Sequence, residues 1–521
     1  MKNIQNIYPL SPMQQGMLFH TLLSPETDVY SEQLSCIISG DLNIDAFRQA
    51  WEQVIERQDI LRSSFIWEDL DEPLQVVHTE VRLSFRVLDW TAQDAKKTDR
   101  TIRDALADDR KEKIDLSAAP LMNITLIRLS ADKSCFIWNY HHLLFDGWGL
   151  GIILKEVFTL YDALSKKRKL TLEPVYPYSD YIAWLKARDI EEAKQFWKKM
   201  LSGFTNTAQL GIAKRSQSLE TGYSKKSLTL SKKLSESLSA FSKTNKFTLN
   251  TLFQGAWAIL LSRYSNNDDI AFGITVSGRP AELKGVESMV GLFINTVPIR
   301  IQLKADDNIP EFLGNVQFNH SQLLQYDFTS LVEIQAASEI PRGSQLFDSI
   351  MVFENYPIDD SLINRDSSIK IESVQSFERT NYPITLVISP GKLIGIDLAY
   401  EEKFFDEKII NRIFEHLVRV LENFCEKPEM KIGHLNILSE KERSLLLQAW
   451  NHSKKPYPDT QTIPEWFEKQ VKNAPEKLAV VFENEKLTYD ELNQKANQAA
   501  RFLTKKGVSA ETLVGICMDK S

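Results

Sequence analysis

The sequence predicts an α/β protein built from more than one lobe. Its 521 residues exceed what one ordinary hydrophobic core accommodates. Strand-like apolar runs alternate along the chain with segments of helical periodicity, which is typical of layered α/β structures. A turn-rich, proline-bearing segment, LEPVYPYSDY at 172–181, interrupts this alternation and marks the first candidate boundary between lobes.

The first predicted lobe covers residues 1–177. It opens with a helix that Ser11 caps and Pro12 begins, because a side-chain oxygen before a proline favours a helix start. The pattern then predicts a strand at 32–39, a helix from 43 or 45 to 57, strands at 60–67 and 75–78, a helix at 92–113, strands at 121–129 and 134–140, and a helix at 147–164.

The second predicted lobe covers residues 178–435. Its predicted helices are at 181–200, 249–264, 309–326 and 406–424, and its predicted strands are at 221–230, 270–277, 292–301, 347–353, 385–388 and 393–400. A polar linker at 436–462 follows. The last region, 463–521, combines a helix at 464–472, a strand at 478–483, a helical segment and a β-like LVGICM at 513–518, and we expect it to end inside a larger domain.

Composition excludes several classes of function. The net charge of −8 is mild and spread along the chain, so no nucleic-acid surface is predicted; the basic run at 166–169 is interpreted as a solvated helix end. No signal core and no apolar run of about 18 residues is present, so neither secretion nor membrane insertion is predicted. The four cysteines are far apart, which favours a reduced, cytoplasmic protein.

The chemistry is predicted at YHHLLFDGWGL, residues 140–150. Two histidines end a strand there, and Asp146 and Gly147 precede an apolar helix. Histidine suits general-base catalysis at neutral pH. Because neighbouring residues of a strand point to opposite faces, only one of His141 and His142 can face a given cleft.

Spacing alone leaves alternatives open. A buried core histidine is about as probable as a catalytic one, and Asp146 can cap the helix or meet a buried cation. No metal site is predicted, because HExxH spacing and cysteine pairs are missing. Nucleophilic catalysis lacks a G-x-S-x-G motif, so base-assisted acyl transfer is the hypothesis that needs the fewest further residues.

The chain resembles a known family at several motifs in order. HHLLFDG is similar to the HHxxxDG signature of condensation domains in nonribosomal peptide synthetases. Further similar motifs are LSPMQQGMLFH (10–20), RQDILRSSF (57–65), YSDYIAW (178–184), VGLFINTVPIR (290–300), QYDFTSL (325–331) and LFDSIMVFENYP (346–357). The resemblance covers residues 5 to about 435, and LTYDEL (487–492) resembles the first core motif of adenylation domains.

The resemblance implies two lobes that each look like chloramphenicol acetyltransferase, arranged as a V-shaped pseudodimer with a tunnel between them. It also implies a function: a carrier-bound aminoacyl amine attacks a carrier-bound acyl or peptidyl thioester in peptide biosynthesis, including antibiotic and other secondary metabolism. SPMQQGMLFH, DGWG and VGLFINT look more like domains that take an L-configured donor.

The implied partners are an upstream donor carrier, a downstream acceptor carrier and an adenylation domain that continues after Ser521. Phosphopantetheine arms on those separate carriers present the substrates, and no cofactor bound to this chain is expected. A monomer is expected.

The resemblance also assigns roles to residues. His142 is the implied catalytic residue, as a base or as an orienting group for the amine, and His141 is structural. Asp146 is an architectural anion, for which Arg62 is the first candidate partner and Arg300 the second. Gly147 offers the thioester oxygen a backbone N–H at the helix start. The implied lining of the tunnel includes Gln14, Met17, Trp148 and Asn295.

Two other classes of function remain. The chain could be a carrier-docking module of the same fold that makes no bond, although a module without activity could lose His142 and Asp146 freely. It could also be an acyltransferase that uses soluble thioesters without carriers.

Overall fold

The computed structural model describes residues 3–92, 98–205, 211, 222–341, 343–355, 368–453 and 460–518. The chain divides into two compact units, Met1–Ser439 and Glu440–Ser521. The larger unit contains two large sheets, each with its own helices, and one small sheet. We call these halves the first lobe and the second lobe.

The first lobe is organised by a five-stranded sheet, the first sheet. Its strands lie in the spatial order Ile369–Phe377, Ser31–Gly40, Lys133–His141, Met122–Arg128 and Ser84–Asp89. Neighbours are antiparallel except for the last pair, which is parallel. A small antiparallel sheet of Ile4–Pro9, Leu74–His78 and Ser63–Ile66 completes the strands of this lobe.

The described helices of the first lobe are Pro12–Leu23, Ile44–Arg57, Thr98–Arg110 and Gly147–Ser165. Ser11 caps the first of them in a reciprocal capping box with Gln14, as the sequence predicts. Phe47 and Trp51 of the second helix are fully buried against Phe136 of the first sheet. These aromatic side chains lie in the apolar cluster that we call the first core.

The second lobe is organised by a six-stranded sheet, the second sheet. Its strands lie in the order Asn295–Gln302, Asp269–Val276, Ser349–Phe353, Ile384–Ser389, Gly395–Glu401 and Tyr223–Thr229. Its helices are Tyr178–Lys186, Ile190–Met200, Lys232–Asn245, Leu249–Ser265, Ile309–Leu323, Leu331–Ala337 and Glu407–Glu426. Leu249–Ser265 is almost wholly buried in the apolar cluster of this lobe, the second core.

Three segments that follow residue 177 pack into the first core. Tyr178 and Ile182 belong to it, whereas Trp197 of the next helix belongs to the second core. Residues 286–293 contribute further apolar side chains to the first core. The strand Ile369–Phe377 pairs with Ser31–Gly40 and so crosses from the second lobe to the first sheet; we call it the crossing strand.

The smaller unit contains the helix Glu440–Ser444 with a π-helical turn Leu445–Ala449, the helices Ile463–Asn473 and Tyr489–Lys505, and a hairpin of Leu478–Phe482 and Glu485–Thr488. Val471 is its one buried apolar residue within the described part. The predicted strand at 513–518 is wrong, because these residues form no strand and Leu513 and Ile516 are exposed.

Most predicted elements are confirmed to within a few residues. Residues 93–97 of the helix predicted at 92–113 lie outside the described residues. The elements without a sequence prediction include Ile4–Pro9, Ser84–Asp89, Lys232–Asn245, Leu331–Ala337 and the crossing strand. Ser84–Asp89 is largely exposed and the crossing strand has a register shift, which weakens the periodicity on which such predictions rest. Lys232–Asn245 does carry Leu234, Leu238 and Phe241 at helical spacing, so its pattern favours a helix that the prediction omits. In the described part of the chain, no helix is long and apolar enough to cross a membrane.

Candidate active site between the two lobes

The histidine motif lies at the end of a central strand of the first sheet. The strand Lys133–His141 ends at the motif, a short turn follows, and the helix Gly147–Ser165 begins. The Gln14 amide donates to the Leu143 carbonyl oxygen at 3.0 Å and to Gln75 Oε1 at 2.9 Å. Because Gln14 is fully buried, these bonds hold the turn directly after His142 in a defined position.

His141 is buried within the first lobe. Its Nδ1 accepts the Leu143 N–H at 3.2 Å, so its Nε2 carries the proton and faces Thr21 Oγ1 at 3.2 Å. Burial, with the neighbouring His142 as a second cause, lowers the pKa of His141 to about 3. A neutral, hydrogen-bonded histidine of this kind supports the structural role proposed for His141.

His142 points the opposite way and lines a cavity of about 420 Å³. Its backbone N–H donates to the Tyr30 carbonyl oxygen at 2.9 Å, which anchors the main chain. Its Nδ1 is buried and has no hydrogen-bond partner among the described residues. Burial lowers the pKa of His142, while the negative charge of Asp146 opposes the shift. The imidazole is therefore neutral at neutral pH and can accept a proton.

The cavity is bounded by both sheets of the larger unit. From the first lobe it is lined by Met13, Met17, Leu34, His142, Gly147 and Leu150, among others. From the second lobe it is lined by Thr275, Thr296, Ile350, Val352 and Val387, among others. A cavity with mainly apolar walls and one histidine suits a reaction between two substrates whose reacting groups are shielded from bulk water.

Asp146 is a structural anion that joins the two lobes. It caps the helix through Oδ1, which accepts the Gly149 N–H at 2.9 Å, and its Oδ2 accepts the Phe293 N–H at 3.2 Å. Oδ1 also pairs with Arg279 Nη2 at 3.1 Å, and only 2% and 6% of the Asp146 and Arg279 side chains are exposed. The predicted partners Arg62 and Arg300 are therefore wrong, and the partner is Arg279.

The two predicted arginines have partners of their own. Arg62 donates to the carbonyl oxygens of Ile55, at 3.1 Å, and His78, and to Gln5 Oε1 at 2.7 Å, so it ties strands of the small sheet to a helix end. Arg300 makes a bidentate pair with Asp269 on the neighbouring strand, at 2.8 and 2.6 Å. The places of the strands in the folded protein fix these contacts. The order of the arginines along the chain therefore could not show which of them pairs with Asp146.

Arg279 follows a glycine that the fold requires. Gly278 has φ of +56°, and a Cβ there would lie 1.9 Å from the Phe293 carbonyl oxygen. The turn directs Arg279 to Asp146, to the carbonyl oxygens of Val286 and Met289 at 2.5 and 3.1 Å, and over the Phe293 ring at 4.0 Å. The only sequence sign of this role is SGRP directly after a buried strand, which is typical of many turns.

Four residues, Gln14, Met17, Trp148 and Asn295, are predicted to line a tunnel between the lobes. Met17 lines the cavity, whereas Gln14, Trp148 and Asn295 are not among its described lining residues. The Gln14 amide donates to the Leu143 carbonyl oxygen in the turn after the histidines. Trp148 Nε1 donates to the Glu287 carbonyl oxygen at 2.9 Å, and the Asn295 amide donates to the carbonyl oxygens of Asp327 and Thr329. All three hold loops together; for the buried amides of Gln14 and Asn295 the reason is that buried N–H groups need acceptors.

No metal centre is formed by the described residues: no three His, Cys, Asp or Glu side chains are arranged to hold an ion. The cysteines at 36, 135, 425 and 517 are free. Burial raises the pKa of the Cys36 thiol to about 12, so this thiol is not a nucleophile at neutral pH.

The chain thus combines a two-lobed α/β fold with a histidine on the wall of the cavity between its lobes. The condensation-domain model matches residues 4–447, and the chain belongs to that family. The AMP-binding enzyme model matches residues 467–521. The resemblance that the motifs indicate is thus confirmed for both parts.

Similar peptide synthases match the whole length of the chain. The chain is 40% identical over 523 residues to one of the linear gramicidin synthases of Brevibacillus parabrevis, covering 100% of this chain and 7% of that protein. It is 37% identical to bacitracin synthase 3 of Bacillus licheniformis, covering 99% of this chain and 8% of that protein. The chain thus spans about a tenth or less of these relatives.

Solved structures share the fold at low sequence identity. A four-domain nonribosomal peptide synthetase bound to AMP and glycine matches with a TM-score of 0.74 at 19% identity, over 97% of this chain and 39% of that one. The first condensation domain of the calcium-dependent antibiotic synthetase, in complex with a substrate analogue, matches with a TM-score of 0.68 at 15% identity, over 83% of this chain and 100% of that one.

Proposed function

We propose that this chain forms an amide bond between two carrier-bound substrates. The α-amino group of an aminoacyl thioester attacks the carbonyl carbon of an upstream acyl or peptidyl thioester, the C–N bond forms, and the thiol of the upstream carrier leaves. The observation that carries the proposal is the imidazole of His142 on the wall of the cavity between the two lobes, where burial lowers its pKa. The phosphopantetheine arms that present the substrates belong to separate carrier domains.

In this proposal His142 orients the amine or takes its proton during attack. A free α-amine titrates near ~8, so a useful fraction is neutral at cellular pH and orientation contributes together with proton removal. Gly147, the first residue of the motif helix, lines the same cavity. The N–H groups at such a helix start favour negative charge, which develops on the thioester oxygen during attack.

The partners are proposed from the same reaction. An upstream donor carrier and a downstream acceptor carrier supply the substrates, and an adenylation domain activates the acceptor amino acid. We further propose that the chain acts as a monomer in the cytoplasm and prefers an L-configured donor residue. Support for the donor preference comes from the residues of the motifs at 11–20, 146–149 and 290–296.

The test is amide formation with purified carriers. The chain is mixed with a panel of donor and acceptor carriers loaded with different aminoacyl groups, and new amides are detected by mass spectrometry. His142→Ala is expected to slow amide formation by about 10²–10⁴-fold, because it removes base and positioning contributions together. His320→Ala is the matched control, since His320 lies in a helix of the second lobe and does not line the cavity.

An unchanged rate in His142→Ala would remove His142 from catalysis. A wild-type chain that binds carriers and forms no amide with any pair would support the docking module instead. Turnover with soluble thioesters at the rate seen with carriers would support a carrier-independent acyltransferase.

A further inference from the structure

A pair of carboxylates faces the cavity from the first sheet. Gln33 pairs with Phe377 across the two antiparallel strands, so the same register places Glu32 opposite Glu378. The two chain segments stay together beyond this point, because the Tyr30 N–H donates to the Arg379 carbonyl oxygen at 3.1 Å. Directly opposed residues have Cβ atoms about 5 Å apart, and like charges in that position repel.

Both glutamates lie on the cavity wall. Side chains that face the cavity alternate along each strand: Glu32, Leu34 and Cys36 on one, and Val374, Ser376 and Glu378 on the other. Glu32 is 5% exposed, and Glu378 is exposed at the wall. Neither carboxylate makes a hydrogen bond or an ion pair within the described part of the chain. A buried carboxylate without a partner is costly unless a ligand supplies one.

The charge of Lys225 offsets that of the pair only in part, because it lowers the pKa of both glutamates while burial raises the pKa of Glu32. Lys225 lines the same cavity, but its ammonium is bound to Asp397 at 3.1 Å. The charged residues of the described lining are four carboxylates and two cations: Glu32, Glu354, Glu378, Asp397, Lys225 and Arg379. Their formal charges add up to −2. Burial, followed by the charge of Glu378, raises the pKa of Glu32 well above its usual value.

The carboxylate pair is close to the reacting groups. Glu32 is paired with Tyr140 across the first sheet, two residues before His142 on the same strand and turn. Diagonal neighbours of this kind have Cβ atoms about 7–8 Å apart. A substrate held at His142 can therefore bring a positively charged group to the two glutamates without leaving the reaction position.

We propose that Glu32 and Glu378 form a recognition site for an ammonium group on an aminoacyl substrate of the proposed condensation reaction. The ammonium is either that of a short cationic side chain or the free α-ammonium of a donor. Both sources share the chemistry that the pair recognises, which is a cation with several N–H donors that two carboxylates can accept. The site thus sets substrate specificity and takes no part in bond making.

The experiment is calorimetric binding of stable pantetheine amides to the full chain. Ornithyl-pantetheine amide is compared with norleucyl-pantetheine amide, whose side chain is neutral and of the same length, and with aminoadipyl-pantetheine amide, whose side chain is anionic. All three compounds keep the free α-amine. If the pair binds a side-chain ammonium, the wild-type chain is expected to bind the ornithyl compound at least about tenfold more tightly than the norleucyl one. Glu32→Gln and Glu378→Gln are each expected to bring this ratio close to one.

Glu372→Gln is the matched control. Glu372 lies on the same crossing strand, does not line the cavity and pairs with Lys133 at 3.9 Å, so its loss should leave the ratio unchanged. A further comparison of norleucyl with N-acetylnorleucyl pantetheine amide shows whether the recognised ammonium is the α-ammonium of the donor. If the free α-amine gives the tenfold gain and both Gln variants abolish it, the pair binds the donor ammonium.

The inference is overturned if the wild-type chain shows no preference for either cation, if both Gln variants keep the preference, or if the aminoadipyl compound binds most tightly. Amide formation from neutral donor and acceptor pairs is measured in parallel. A chain that forms amides without any preference for a cation keeps the proposed function and loses this inference. A chain that forms no amide with any pair loses the proposed function, whatever it binds.

Discussion

At the scale of single residues, adjacent histidines have different tasks because the strand alternates. His141 points into the first lobe, where Thr21 and the Leu143 N–H satisfy its ring nitrogens. His142 points into the cavity. The sequence predicts this division from alternation, and the structure supplies the partners that explain it.

The buried, neutral state of His141 predicts how stability depends on pH. Its folded pKa of about 3 lies below the unfolded value of ~6.5, so the unfolded chain binds more protons between these limits. This contribution to stability is complete above pH ~6.5 and is lost as the pH falls toward 3. When the pH is lowered from 7.5 to 5, the unfolding free energy of the wild type should fall by about 2 kcal/mol more than that of His141→Gln.

Urea titrations at the two pH values measure this difference. His434→Gln serves as a control, because His434 is exposed and should leave the pH dependence as in the wild type. Equal losses in the wild type and in His141→Gln would contradict the assignment of His141 as a buried, neutral group.

At the scale of elements, the crossing strand is the feature with the largest consequences. Residues Ile369–Phe377 follow most of the second lobe in sequence but pair with the edge strand of the first sheet. The register shifts between Glu372 and Gln375, and Ser373 has φ of +53°. This irregularity interrupts the alternation of apolar residues, which is why the sequence pattern does not predict a strand here.

The crossing strand should stabilise the first lobe through Ile369, with Ile371 partly buried against the same core. Ile369 is 5% exposed and belongs to the first core, whereas Val374 on the same strand is 57% exposed. Ile369→Ala is expected to cost about 2–5 kcal/mol of unfolding free energy, because it leaves a cavity in a packed core. Val374→Ala should stay within about 0.5 kcal/mol of the wild type.

Both variants are compared by the midpoint and slope of urea unfolding. If Ile369→Ala were as stable as Val374→Ala, the crossing strand would not be part of the first core.

At the scale of the larger unit, the two lobes are joined by packing and by one buried ion pair. The segment 286–293 and the helix Tyr178–Lys186 bury apolar side chains in the first core, and Asp146 meets Arg279 from the second lobe. This pair connects the helix that follows His142 to the segment that faces it. The position of the histidine motif therefore depends on contacts between lobes.

A double-mutant cycle tests this connection. Asp146→Asn and Arg279→Met should each cost about 3–5 kcal/mol, because each strands a buried charge or leaves buried acceptors unpaired. The double variant should lose less than the sum of the two, with a coupling energy of about 1–3 kcal/mol. Unfolding by urea, followed by tryptophan fluorescence, gives the four free energies.

Arg62→Met is the control arm of the same cycle. Arg62 is buried and hydrogen-bonded but does not contact Asp146, so its effect should add to that of Asp146→Asn within about 0.5 kcal/mol. Equal coupling of Asp146 to Arg62 and to Arg279 would contradict the role of the Asp146–Arg279 pair in joining the lobes.

The sequence by itself determined the α/β class, most helices and strands, the histidine motif and its orientation. These follow from local periodicity and capping, as at Ser11, and from alternation at His141 and His142. It also indicated that Asp146 is structural.

Only the tertiary structure decided which groups meet across the lobes. The partner of Asp146 is Arg279 and not Arg62 or Arg300, and Glu32 lies opposite Glu378 although 346 residues separate them in sequence. The physical reason is the same in both cases. A single sequence carries no information on register between distant strands or on the direction of a turn such as that at Gly278, and those two features choose the neighbours of each charge.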